Sequence, residues 1–186
     1  ARRLIPSGFR ILRVWPGHTL GGLFFAHYGP GSELEYHELV ACAGVVLYRC
    51  RPCAWISHVY VDSEASLRAG REEIGVPKRL ARFGRGEGGS VIVGTERDGV
   101  DLICALTPRR AVRAGSGVGP IRLRFRAIHG HAARPPGAVV SLHGNQLRGR
   151  VASLAIDVRV PPGSPLRALE IGKPLQIGRA SCRERV

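Results

Sequence analysis

Residues 62–78 constrain the fold of this chain more than any other stretch. Asp62 and Ser63 supply N-cap oxygens ahead of Glu64-Ala-Ser-Leu-Arg-Ala69, which carries acidic charge at its start and arginine towards its end. These signals predict a helix of about two or three turns. Gly75 predicts its stop, and Pro77 prevents resumption, because proline lacks an amide hydrogen and restricts Val76 to extended geometry. Lys78 therefore enters a strand directly after a helix.

Nearly everywhere else the apolar residues fall in short runs cut by glycine and proline. Residues 9–15, 22–28, 39–48 and 55–61 read as strands, rich in Val, Leu, Phe, Trp and Tyr, with breaks at Pro16-Gly17, Gly29-Pro30-Gly31 and 49–53. Beyond a flexible turn at 84–89, residues 90–94, 101–106, 121–127, 138–142 and 151–160 predict further strands. In the last of these Ala152, Leu154, Ile156 and Val158 share one face, and Pro161-Pro162-Gly163 closes it. Residues 109–119 and 130–137 are Gly-, Pro- and Arg-rich loops. The pattern predicts a mainly β (α+β) chain, an antiparallel barrel or sandwich with a few short helices.

At 186 residues and 44% hydrophobic, the chain suits one globular domain, expected over 1–175. Residues 176–186 resemble the translation of a short-read sequencing adapter and are expected to be a non-native tail. There is no methionine, so Ala1 reads as a cut end. The longest mainly apolar run, 39–48, is far shorter than the roughly 20 residues of a membrane helix, and no signal segment opens the chain. A cytoplasmic protein with no membrane partner is expected. The formal charge is +14, or +12 without the tail's three arginines and one glutamate. The arginines are scattered and not interleaved with aromatics, which argues against a nucleic-acid partner. Cys50-Arg51-Pro52-Cys53 has the spacing of a metal or redox pair, but no second pair follows, so no metal is expected and the cysteines read as free thiols. Cys42 and Cys104 lie in apolar runs and are expected in the core.

Among 28 Lys plus Arg, only Lys78 and Lys173 are lysines. A surface needs only charge, which arginine supplies; an amine nucleophile needs a group that can lose its proton, which arginine cannot. A free lysine is almost wholly protonated at neutral pH. Burial among Val76, Pro77, Leu80 and Ala81, with the positive charge of Arg79 beside it, would favour the neutral amine. Such an amine attacks a ketone, and the protonated imine that follows draws electrons from an adjacent breaking carbon–carbon bond.

Four motifs, in order and spacing, carry a resemblance: Tyr36-His37-Glu38-Leu39, Val59-Tyr60-Val61-Asp62, Ala69-Gly70-Arg71-Glu72 and Gly75-Val76-Pro77-Lys78-Arg79. Together they resemble the core of the acetoacetate decarboxylase family, well over 21–83 and weakly elsewhere. Acetoacetate decarboxylase is itself the standard instance of a lysine activated in this way. The resemblance implies a cone-shaped antiparallel β-barrel, no cofactor and no metal, assembly into homo-oligomers, and a small oxo-acid substrate. It makes Lys78 the Schiff-base residue, Arg79 the occupant of the second lysine's place, and Glu38 a proton-handling carboxylate. A second family glutamate falls near 23–26, where this chain has none, and the family's N-terminal arginine has no counterpart here. The resemblance implies decarboxylation of a β-keto acid through the imine, and these two absences leave the imine chemistry intact. An aldolase or dehydratase using the same imine, and a non-catalytic small-ligand barrel, stay open beside it.

Overall fold

The structure is a computed structural model that describes residues 1–95, 102–108, 118–123, 126–130, 139–143, 147–153, 156–170 and 178–180. In chain order the strands are β1 (Arg10–Ile11), β2 (Gly22–Tyr28), β3 (Tyr36–Tyr48), β4 (Arg51–Val61), β5 (Lys78–Leu80), β6 (Arg82–Arg85) and β7 (Val91–Gly94). They continue with β8 (Leu102–Pro108), β9 (Val118–Leu123), β10 (Arg126–Gly130), β11 (Val139–His143), β12 (Leu147–Ser153), β13 (Ile156–Arg159) and β14 (Gly178–Ala180). The one α-helix among the described residues is α1 (Glu64–Ala69), so the chain is mainly β with a few short helices, as its sequence predicts. No helix among the described residues is long and apolar enough to cross a membrane.

Two compact units emerge, Ala1–Arg82 with Phe125–His143 and Phe83–Arg124 with Gly144–Val186. The first holds a seven-stranded sheet built on β3 and β4, the two longest strands. Their hairpin turns in only two residues, Arg49 (φ 47°) and Cys50 (φ 59°), with Tyr48 paired to Arg51. The break expected over 49–53 is thus shorter than the sequence suggested, because two successive left-handed residues match the twist of a tight hairpin. β1 and β2 pair antiparallel with β3. On its far edge β4 takes two parallel partners: β10 beside Ala54 and Trp55, and β5 beside Val59, Tyr60 and Val61. The sheet is therefore mixed where an antiparallel one was expected; for β5 this follows from the crossover through α1, which brings the chain back in the same direction.

One face of this sheet buries Ile56, Val59, Val61, Val76 and Ala127, with Tyr36, Val40, Cys42, Ala54 and Leu67 packed against them. Each such aliphatic side chain removed from water stabilises the fold by about 1.5–3 kcal/mol. Leu67 belongs to α1, so this face anchors the helix.

In the second unit β13, β8, β7 and β6 form one sheet and β14, β12 and β9 another. Val93, Ile103, Cys104, Leu106 and Leu166 are buried. The Ser164 hydroxyl donates to the Ile103 carbonyl (2.6 Å) and accepts from the Leu166 amide (3.1 Å), tying the 3-10 turn Pro165–Leu169 to β8. The single strands expected over 121–127 and 151–160 are each divided, into β9 and β10 and into β12 and β13. Residues 178–180, assigned to a tail by sequence, pair with Val151–Ser153. Of the loops expected at 109–119 and 130–137, residues 118–119 begin β9 and Gly130 ends β10; the rest of both lies outside the described residues, as does Lys173. No closed barrel is traced among the described residues.

Candidate active site

Cross-strand register brings the two principal sequence candidates together. Glu38 in β3 faces Val61 in β4, and Lys78 in β5 faces Val59. Val59 and Val61 are two residues apart and share a face, so Glu38 and Lys78 do as well. Lys78 Nζ lies 3.0 Å from Glu38 Oε1, and both side chains are 11% exposed. Ala26 of β2 stands directly opposite Glu38, in the stretch where the family's second glutamate was sought.

Three further groups complete the surroundings of the pair. Nζ donates to the Ser66 hydroxyl at 2.9 Å. Tyr28 Oη donates to Glu38 Oε2 at 3.4 Å, and the Tyr28 and Tyr36 rings stack with centroids 4.6 Å apart. The Tyr36 ring lies 5.3 Å from Nζ, within cation–π reach. Ser66 and Tyr28 carry no motif, and the sequence reading missed both.

The helix-to-strand junction aims the lysine. Ser63 caps α1 by accepting from the Ser66 amide (3.3 Å). After Ala69 the helix widens into a π-turn, Gly70–Ile74, which Gly75 ends in the left-handed region (φ 75°). Glycine adopts that conformation without a Cβ penalty, and the Val76 amide then closes onto the Gly70 carbonyl at 2.8 Å. Arg71 Nε donates to the Lys78 carbonyl (2.8 Å), which ties the π-turn to the start of β5. Gly70 itself has ordinary helical geometry (φ −61°, ψ −40°), so its backbone does not require glycine. Space does: a Cβ there would lie 2.6 Å from Lys78 Cδ and 2.7 Å from Cε.

Arg79 is not gathered into this cluster. Neighbouring residues of a strand point to opposite faces, and Arg79 pairs in register with Tyr60 on the other side of the sheet, where it is exposed. There it adjoins His58, whose ring stacks on Tyr60 at 6.2 Å. Burial first, and the Arg79 guanidinium second, hold His58 below the ordinary histidine value. The same face carries His37, whose Nδ1 is 2.7 Å from Asp62 Oδ2.

Among the cysteines, Cys50 is exposed and Cys53 buried. Burial pushes the Cys42 thiol up to about 11 and Cys104 up to about 12, so both stay protonated and act as small apolar groups. No group of three or more metal-ligating side chains occurs among the described residues.

Comparison with known proteins bears on the family and the fold. The chain is similar to the protein NEOXANTHIN-DEFICIENT 1 of Arabidopsis thaliana, with 40% identity over 85 residues, covering 46% of this chain and 30% of that protein. Its namesake in Oryza sativa subsp. japonica is 38% identical over 87 residues, covering 47% and 28%. The match thus spans less than a third of the length of these relatives. Among solved structures, the acetoacetate decarboxylase of Legionella pneumophila superposes with a TM-score of 0.58 at 15% identity, covering 96% of this chain and 74% of that one. The enduracididine biosynthesis enzyme MppR, complexed with the condensation product of pyruvate and imidazole 4-carboxaldehyde, gives 0.54 at 13% identity, covering 97% and 81%. At such identities the likeness speaks for the fold. The family model for acetoacetate decarboxylase matches residues 1–175, and the chain belongs to that family.

Proposed function

We propose that this chain is a lyase that binds a small β-keto acid and decarboxylates it through an imine on Lys78. The observation that carries the reading is the buried contact of Nζ with Glu38 at 3.0 Å, in a side chain held against α1. A proton moved from Nζ to Oε1 turns two buried charges into a neutral amine and a neutral acid. The amine pair attacks the ketone carbon, the carbonyl pair moves to oxygen, and water leaves to give a protonated imine. Cleavage of the bond to the carboxylate then releases carbon dioxide, with its electron pair passing through the enamine carbon to nitrogen. Glu38, its proton already given to the departing water, takes another from solvent and passes it to that carbon, and hydrolysis of the imine completes the cycle.

MppR favours a second reading. Its bound condensation product of pyruvate and an aldehyde supports aldol-type chemistry on this fold, with the same imine formed on another oxo-acid. Carbon dioxide release from acetoacetate separates the two. Lys78→Arg keeps the charge and removes the nucleophile, and is expected to lower release at least about a thousandfold. Glu38→Gln is expected to lower it by about 10²–10⁴. Wild-type protein that forms the imine yet releases no carbon dioxide would leave the aldol-type reading in its place.

A further inference from the structure

Ser66 is the hydrogen-bond partner of Lys78 Nζ to which the proposed chemistry gives no part. Its residue is 3% exposed, and its hydroxyl accepts from Nζ at 2.9 Å. It stands four residues before Gly70, so the two lie on one side of the helical segment. The lysine stem runs over Gly70, where a Cβ would collide with Cδ and Cε, and its nitrogen ends on Ser66. The Ser66 amide is in turn fixed by the Ser63 cap.

We propose that Ser66 is a positioning residue that holds Nζ against Glu38 and accepts the one hydrogen that remains on nitrogen in the protonated imine. The second half rests on the imine reading above. An ammonium carries three hydrogens and the protonated imine one. Two therefore leave with the ketone oxygen as water. Glu38, a titratable base 3.0 Å away, carries them one at a time: an N–H bond breaks, an O–H bond forms on Oε1, and that proton passes to the departing oxygen. The serine hydroxyl is a good acceptor but a poor base, so the hydrogen directed at it stays. That N–H lies in the plane of the imine, and holding it on Ser66 fixes the plane. The substituent perpendicular to the plane is then the one whose bond to carbon breaks.

Two variants of the full chain test this. Ser66→Ala removes the acceptor, and Ser66→Cys keeps nearly the same volume with a much weaker one. Two rates are measured by peptide mass spectrometry on Lys78: acetylation by acetic anhydride at pH 8, and borohydride trapping with acetoacetate. Loss of the hydrogen bond is expected to raise acetylation about fivefold in both variants, because the ammonium loses an acceptor. Trapping is expected to fall about tenfold in both, because the nitrogen loses its placement. A role in packing alone would leave Ser66→Cys like the wild type, and that result, or unchanged rates in both variants, overturns the proposal. If acetylation rises in both variants while even the wild type traps no imine, the hold on Nζ stands and the imine reading falls.

Discussion

Gly70 shows at the scale of one residue how the site is made. Its backbone would accept alanine, which is favoured over glycine in a helix by roughly 0.5–1 kcal/mol, yet the Lys78 stem occupies the space where a Cβ would go. Gly70→Ala is therefore expected to lower stability to urea, because the displaced stem gives up its buried contacts with Glu38 and Ser66, and to lower borohydride trapping on Lys78 at least about tenfold. In a Lys78→Ala background the same change meets no stem and is expected to add about 0.5–1 kcal/mol. Unaltered trapping in the single variant would mean that the lysine takes another path. Lys78 and Glu38 were legible because rare lysine and motif spacing mark them; Ser66 and Tyr28 were not, because their contacts with Lys78 and Glu38 depend on register between separate elements. Arg79 is the opposite case. Adjacency in sequence suggested a neighbour for the amine, whereas strand alternation sends it to His58.

The element that matters most is the unit formed by β4, α1, the π-turn and β5. Its local parts could be read directly: a cap at Ser63, a helix over 64–69, a stop at Gly75 and a strand from Lys78. The parallel pairing of β5 with β4 could not, because local signals say that a strand exists but not which strand it joins. The same holds for β10, which pairs with β4 across some 70 residues of chain. Because α1 spans only six residues, its cap carries much of its stability. Ser63→Ala is expected to cost about 1 kcal/mol in urea unfolding and to reduce imine trapping by loosening Ser66 along with the first turn. A full cost in stability with no change in trapping would separate the cap from the placement of Lys78.

For the molecule as a whole, composition and spacing were enough for a mainly β chain, while the acetoacetate decarboxylase fold became legible only through four motifs in register. The division into two units left no mark in the sequence, since the first unit is completed by β10 and β11, far from the rest of it along the chain. The whole candidate cluster of Lys78, Glu38, Ser66, Tyr28 and Tyr36 falls within that unit, on the face that holds the Val59 and Val61 core. Family membership, the ion pair and the cradle of Ser66 and Gly70 are the support for the proposal that Lys78 is an imine-forming nucleophile. The most direct test is to incubate the protein with acetoacetate and separately with pyruvate, reduce with borohydride, and map the adduct by peptide mass spectrometry. The account predicts a reduced adduct on Lys78 that disappears in Lys78→Arg; no adduct with either oxo-acid, or one on Lys173 in its place, would contradict it.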